Sequence, residues 1–473
     1  MKTTAMAAEE RVHYMTQAPV RRLILEMSAP TVISMLVTSF YNMADTLFVG
    51  QLDTQSTAAV GVAYSAMALL QAISFFFGHG SGNYISRQLG ARNYEAAERM
   101  AATGFFSALL AGCGIAALGV AFITPISRLL GSTPTILPYT VAYLRVIFLG
   151  APFLIGAFVL NNQMRFQGSA SISMVGIMTG AVLNVVLDPV LIFGLKMGVA
   201  GAAWATSISQ LVSFVVLLVL NRRRAAIKVR LSRFTPQPHY FYKIFTGGVP
   251  SLCRQGVGSI ATVLLNLAAG NYGGAAADAA IAAMGVVNRI SMFANSALIG
   301  FGQGFQPVCG TNYGAGKRTR VRQAFYFCIR LGCGTVAALS VLAFAFAPQL
   351  IQLFRDDADV VIIGTAALRA QCLTLVLTVW IILCTMLLQT IGMAWQASVV
   401  AAARQGLFLI PVVFILPNLL GLAGVEYAQP AADLLAFALA LPMGLSVLKT
   451  FRSDAPTPAH TLREELKHGG KVC

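Results

Sequence analysis

The sequence predicts an all-α integral membrane protein: twelve transmembrane helices in two parallel-repeat six-helix lobes around a central cavity. Three observations predict it. Of 473 residues, 57% are hydrophobic and only 11% charged, against roughly a quarter charged in soluble domains; the mean hydropathy is +0.73. Apolar runs of about 20 residues, enough to cross a bilayer core, recur along the whole chain. The second half of the chain repeats the first.

The runs cover approximately 23–50, 56–80, 96–122, 135–161, 170–194, 198–221, 244–270, 278–304, 322–347, 361–389, 397–417 and 424–448. They are too long and continuous for barrel strands, whose faces alternate, and open strands would leave backbone groups unpaired in lipid. They divide the chain into an N-terminal tail (1–20), an N-lobe (21–221), a basic linker (222–240), a C-lobe (241–450) and a C-terminal tail (451–473). The first 20 or so residues are polar and lack the apolar region of a signal peptide.

The net charge of +16 lies in short blocks between the runs. One set of loops and both tails hold Arg11, Arg21, Arg22, Arg87, Arg92, Arg99, Arg165, "NRRRAAIKVRLSR" from Asn221 and "KRTRVR" from Lys317; the opposite loops hold only Arg128, Lys196 and Arg355. This bias orients a membrane protein with both termini in the cytoplasm and sets nucleic-acid binding aside. Localisation is then the plasma membrane, the inner membrane in a Gram-negative source. The eight cysteines form no CxxC pair, and all but Cys473 fall in or beside apolar runs, as small packing residues do.

The repeat follows a nearly constant shift. Pro30 matches Pro250, Gly90-Ala91 matches Gly314-Ala315, Gly168 matches Gly392, and "GVAGAAWA" from Gly198 matches "GLAGVEYA" from Gly421, all at shifts of 220 to 224. Six helices per half is an even number, so the halves are parallel repeats. Transporters built this way place the substrate between their halves near the midplane.

Two carboxylates lie deep in first-half runs: Asp45 in "SFYNMADTLFVG" and Asp188 in "LNVVLDPVLIFG". A charge at a helix centre costs about 2.5–3.5 kcal/mol on insertion scales, so each needs a partner or a purpose. Thr38, Tyr41 and Asp45 share one helix face, as do Asn184 and Asp188 at a spacing of four. Pro189 removes a backbone donor and bends the helix, freeing carbonyls beside these side chains. Oxygen ligands around a carboxylate suit a hard cation or a proton; a packing role for a hydrogen-bonded aspartate is the alternative. By the repeat, Asp45 falls opposite Leu265 and Asp188 opposite Pro411, so the second half has no equivalent pair. There, Asp356, Asp357 and Asp359 read as a solvated loop, Glu426 as a residue near a helix start and Asp433 as a deeper group. Arg145, Arg254, Arg289, Arg330, Arg369 and Arg404 fall in or near spans and can snorkel to the headgroups.

The motifs "SFYNMADTLFVG", "SRQLGARN", "LNVVLDPVLIFG" with "GVAGAAWATSISQ", and "NYGAGK" together resemble the multidrug and toxic compound extrusion (MATE) family over about residues 20–450. The resemblance implies a V of two lobes and efflux of organic, mainly cationic, amphipathic compounds in exchange for Na+ or H+. It implies a cation site at Tyr41, Asp45, Asn161 (with Asn162 adjacent), Asn184, Asp188 and Thr206. Asp45, Asn184 and Asp188 would be the metal ligands if the ion is Na+. Where some members carry glutamine this chain has Thr38, and the acidic residue of some seventh helices is missing from the span that holds Arg254, Gln255 and Asn266. Thr38, Gln255, Asn266, Asn288 and Asp433 are the substrate-contact candidates. The expected partners are drug or dye molecules and the bilayer, the chain is expected to act as a monomer, and no cofactor is expected beyond the coupling ion.

Two other classes compete. A flippase of lipid-linked sugar precursors would need a basic cavity, with Arg145, Arg254 and Arg289 converging on it and Asp45 outside. An enzyme would need a motif, and HExxH, GxSxG and GxxxxGK are all missing from the sequence. "GHGSG" at Gly78 lies in an apolar helix rather than after a strand. The missing Walker motif points to ion gradients as the energy source.

Overall fold

The computed structural model describes residues 2–272, 277–355 and 357–454, with the side chains of 2–7, 259, 262, 263 and 266 outside the description. Every regular element among the described residues is helical. In the first half these are α1 (Lys2–Gln17), α2 (Val20–Val49), α3 (Thr54–Gly90), α4 (Tyr94–Ala121), α5 (Ile123–Leu129), α6 (Leu137–Phe166), α7 (Ala170–Pro189) and α8 (Val199–Arg224). In the second they are α9 (Pro238–Tyr272), α10 (Ala277–Gly314), α11 (Arg318–Ala345), α12 (Ala347–Gln352), α13 (Ala358–Ile391), α14 (Ala394–Ala402), α15 (Leu409–Leu420) and α16 (Leu422–Thr450). Eleven helical segments are long and apolar enough to span, counting α14–α15 as one. The twelfth is α9, 35 residues long.

Local chemistry sets the helix starts. Asp53 caps α3 by accepting from the Ser56 amide at 2.6 Å, Asn93 caps α4 through the Ala96 amide, and Asp357 caps α13 through the amides of Asp359 and Val360. Each satisfies donors that a helix start leaves open. Asp357 and Asp359 are exposed, while Asp356 lies outside the described residues. Glu426 sits near the start of α16.

The repeat is visible in the backbone. Gly198 and Gly421 precede α8 and α16 with φ/ψ of 57/−138° and 61/−136°, a conformation that a Cβ would strain. Gly168 and Gly392 both have positive φ, at 80° and 95°. Each lobe wraps around one helix buried over most of its length, α6 in the first and α13 in the second. The largest crossings between the lobes are α3 with α9 and α2 with α10, with α3 also meeting α10. The first two are close: a Cβ on Gly304 would come within 2.4 Å of Ser28, and one on Gly80 within 2.3 Å of the Ile244 carbonyl.

Pro189 does mark a change in the fifth span. There α7 gives way to a five-residue π-type turn, Val190–Gly194. The span formed by α14 and α15 has its own π-type turn at Ala403–Leu407, nearer the end of the span that faces the termini.

The first 20 residues are not a loose tail. In α1, Ala8, Val12 and Met15 are buried. Its last carbonyls accept hydrogen bonds from Lys317 Nζ (to Thr16, 3.0 Å) and Asn312 Nδ2 (to Met15, 3.1 Å), and Arg320 reaches the Ala18 carbonyl at 2.6 Å. Cations at a helix C-terminus are favoured by its dipole. Arg11 reaches Ser169 of the first lobe at 3.4 Å. The basic linker is also docked: the Ile227 amide donates to Gln167 Oε1 at 2.8 Å, and Arg233 pairs with Glu98 at 3.2 Å.

Candidate cation site and adjoining cavities

Helix α2 supplies Thr38, Tyr41 and Asp45; α7 supplies Asn184 and Asp188; α8 supplies Thr206. Asp45 is 8% exposed and Asp188 0%, and they stand close enough for the charge of one to act on the other. The fully buried Tyr143 of α6 lies beside both carboxylates and Thr206. Asn184 Nδ2 is 3.4 Å from both Asp188 Oδ1 and Thr206 Oγ1. Asp45 Oδ1, Asn184 Oδ1 and Asp188 Oδ2 are buried without a hydrogen-bond partner among the described residues. Three orphaned acceptor oxygens near one another fit a hard cation or an added proton, because each is costly while unpaired.

Two contiguous cavities open from this site. The upper is lined by Thr38, Tyr41, Asn184, Thr206 and Gln210 among others. The lower lies nearer the end of α2 that follows α1 and is lined by Thr31, Ser34, Asn161, Arg165 and Gln303 among others. Thr38, Phe158 and Ile177 border both. Asn161 therefore faces the lower cavity, where its Nδ2 donates to the Ser173 carbonyl at 2.9 Å. It is 18 residues along α6 from Tyr143, or about 27 Å at helical rise. The structure thus sets it apart from the carboxylate pair.

The lower cavity holds a group that the sequence reading counted among the loop charges. Arg165 ends α6 inside the protein, 2% exposed. Its guanidinium donates to Gln303 Oε1, to Asn162 Oδ1 at 2.6 Å and to His79 Nε2 at 3.1 Å. Arginine only donates, so His79 Nε2 accepts; the ring proton is on Nδ1 and faces Ser251 Oγ at 2.7 Å. Gln389 donates to the same hydroxyl at 2.9 Å. This buried chain joins α6 and α3 to α9, α10 and α13 across the lobes. The polar residues inside apolar runs (His79, Gln303, Gln389) were its only sequence signal.

The other candidates are dispersed. Asn288 is half-buried, with an unpartnered Nδ2. Gln255 is half-buried, and the Asn266 side chain lies outside the described residues. Asp433, a proposed substrate contact, already has a resident cation: its Oδ1 accepts from Arg404 Nε at 2.7 Å and from Gln429 Nε2 at 2.9 Å. Arg145, Arg289 and Arg330 are exposed, and Arg369 lies over the Phe344 ring. Arg254 is half-buried, and Asp45 is buried rather than outside, unlike the arrangement that a flippase reading needs.

Two repeated helical lobes with buried acceptors in an interior cavity define a multi-pass membrane transporter. The chain belongs to the MatE family, whose model matches residues 30–190 and 250–415. It is 29% identical over 435 residues to the multidrug export protein MepA of Staphylococcus haemolyticus, covering 92% of this chain and 95% of that one. It is 30% identical to MepA of Staphylococcus saprophyticus over 427 residues, 90% and 93% of the two chains. Among solved structures it resembles an outward-facing multidrug resistance MATE family transporter of the MOP superfamily, with a TM-score of 0.88 and 26% identity over 93% of this chain and 98% of the other. It also resembles a MOP superfamily transporter from Pyrococcus furiosus described as having a binding pocket of reversed polarity, with a TM-score of 0.87, 26% identity and the same coverage.

Proposed function

We propose that the protein is a secondary active multidrug efflux antiporter that exports organic, mainly cationic amphipathic compounds in exchange for Na+ or H+. The observation that carries this reading is the buried, interacting pair Asp45 and Asp188 with free oxygens beside Asn184 and Thr206. Its similarity to proteins named for multidrug export supports the substrate class.

Both termini face the cytoplasm in this reading. A substrate cation enters between the lobes and is attracted to the ionised pair. A sodium ion or proton arriving from outside neutralises the pair, using Asp45, Asn184, Asp188 and the Thr206 hydroxyl. Neutralisation weakens the hold on the substrate and favours the return state. Exchange follows only if drug and ion stabilise different conformations or charge states, since a ligand shifts an equilibrium by its differential affinity alone. The lobes rock about the α2–α10 and α3–α9 crossings.

The test is dye efflux from vesicles under separately imposed sodium and proton gradients, with Asp45→Asn and Asp188→Asn beside wild type. Loss of gradient-driven efflux is expected, with weaker dye binding because the substituted pair no longer carries the charge that attracts the cation. Efflux that survives both substitutions refutes the coupling site.

A further inference from the structure

The lower cavity carries a buried cation, whereas the lining of the upper one is uncharged. Arg165 and Gln303, 2% and 1% exposed, both line it. The Arg165 Nε and the Gln303 Nε2 have no hydrogen-bond partner among the described residues. Both atoms are donors. The neighbours of Arg165 are the neutral acceptors Gln303, Asn162 and His79, and the guanidinium has no salt bridge among the described residues. A second cation, the half-buried Arg254, acts on it, and its Nε is likewise unpartnered among the described residues. A buried guanidinium without a counter-charge is costly, and free donors around it call for an oxyanion. Phe158 and Ile177 form the apolar border between this pocket and the upper one.

We infer that the lower cavity is an oxyanion subsite in which Arg165 and Gln303 hold the carboxylate, sulfonate or phosphate of an amphipathic ligand. The substrates favoured are then amphipaths that carry an oxyanion as well as an apolar body, rather than simple cations. This deepens the efflux reading and rests on it. Gln303 is the link between lobes: it comes from α10, whereas Arg165 comes from α6. An oxyanion bound between them ties one lobe to the other, so occupancy reports on the closed crossing.

The probes are rhodamine B, a zwitterion near neutral pH, and rhodamine B ethyl ester, which keeps the dye and the positive charge but masks the carboxylate. Binding to purified protein in phosphatidylcholine nanodiscs is read by fluorescence anisotropy, without any gradient. Wild type is expected to prefer the acid over the ester by about tenfold, the scale of a charge-assisted hydrogen bond. Arg165→Met and Gln303→Leu are expected to reduce that preference to less than about twofold while leaving ester affinity nearly unchanged. Gln303→Leu removes the free donor without removing a charge, so it carries the test if Arg165→Met fails to fold. Equal binding of acid and ester by wild type overturns the subsite, as does a preference that survives in Gln303→Leu. Phosphatidylglycerol added to the nanodiscs separates the sources: competition with rhodamine B in wild type but not in Gln303→Leu assigns the oxyanion to a lipid headgroup, and no competition assigns it to the soluble amphipath. Gradient-driven efflux of the ester, measured separately, tests the transport reading. Efflux without a carboxylate preference sinks the subsite alone, and a carboxylate preference without efflux sinks the transport reading alone.

Discussion

Gly90 and Gly314 lock α3 and α10 together reciprocally. A Cβ on Gly90 would stand 2.0 Å from the Thr311 carbonyl oxygen, and one on Gly314 2.0 Å from the Arg87 carbonyl oxygen. The two contacts are the same contact seen from each half, since both pairs are related by a shift of 224 residues. The pseudo-twofold axis passes between them. The obstacle on each side is backbone, which cannot rotate away. Gly90→Ala and Gly314→Ala should each destabilise the fold by about 1–3 kcal/mol, the usual cost of overpacking, and lower the melting temperature of the purified protein. Gly61→Ala is the control: nothing lies within 4 Å of its Cβ, so a neutral or slightly positive shift is expected.

Asn184 stands between Asp188 and Thr206, at 3.4 Å from each. Those distances are long for hydrogen bonds and leave room for tightening around an ion. Asn184→Leu keeps the volume but removes both the donor and the orphaned Oδ1, so ion-driven dye efflux should fall by at least about tenfold. Thr206→Val should cost less, since Thr206 supplies one oxygen. Dye binding at equilibrium should change little in either. Equal efflux rates for wild type and Asn184→Leu in gradient-loaded vesicles would remove Asn184 from the coupling site.

What could be read in the chain was what recurs or what is out of place locally. The mates Gly198 and Gly421 were visible as text and share a backbone conformation. Asp45 and Asp188 stood out because a carboxylate in an apolar run is costly, and both are buried in the fold. Asn161 could not be separated from the carboxylates in advance, since its place depends on how far down α6 it lies. Arg165 was misread as a loop charge. Its partner Gln303 is 138 residues away, and no spacing rule links them. The docking of α1 was hidden for the same reason: its surface is polar on average, and its anchors Asn312, Lys317 and Arg320 come from the second half.

Arg404 and Asp433 form an ion pair in the second lobe, with side chains 14% and 3% exposed. Removing one member of such a pair leaves a buried charge unpaired, at a cost of about 3–5 kcal/mol, whereas replacing both by apolar groups is often neutral. Asp433→Leu should therefore melt well below wild type, and Arg404→Met/Asp433→Leu should recover most of the loss. If Asp433 instead served the ligand directly, the double variant would be stable but unable to bind dye. Measuring melting and rhodamine binding on the same samples separates these roles.

Asp454 caps α11 from outside the helix. Its Oδ1 accepts from the Thr319 amide at 2.9 Å and the Thr319 hydroxyl at 2.7 Å, standing in for the side-chain cap that Lys317 does not provide. The amide hydrogen bond, then the hydroxyl one, holds the carboxyl below its ordinary value of 3.8. A depressed acid contributes stability above its unfolded value and loses it as pH falls through the folded value. The contribution is therefore complete at neutral pH and disappears only in acid below 3.8. The site is largely exposed, so solvent screening keeps the effect of Asp454→Ala under about 1 kcal/mol. Hydrogen exchange at the Thr319 amide reads it directly: exchange should quicken up to about fivefold in Asp454→Ala at neutral pH. The difference between variant and wild type should shrink on acidification, because a protonated carboxyl is a weaker acceptor for a helix N-terminus. A difference that remains full at about pH 2 would show that the carboxylate charge contributes nothing to the cap.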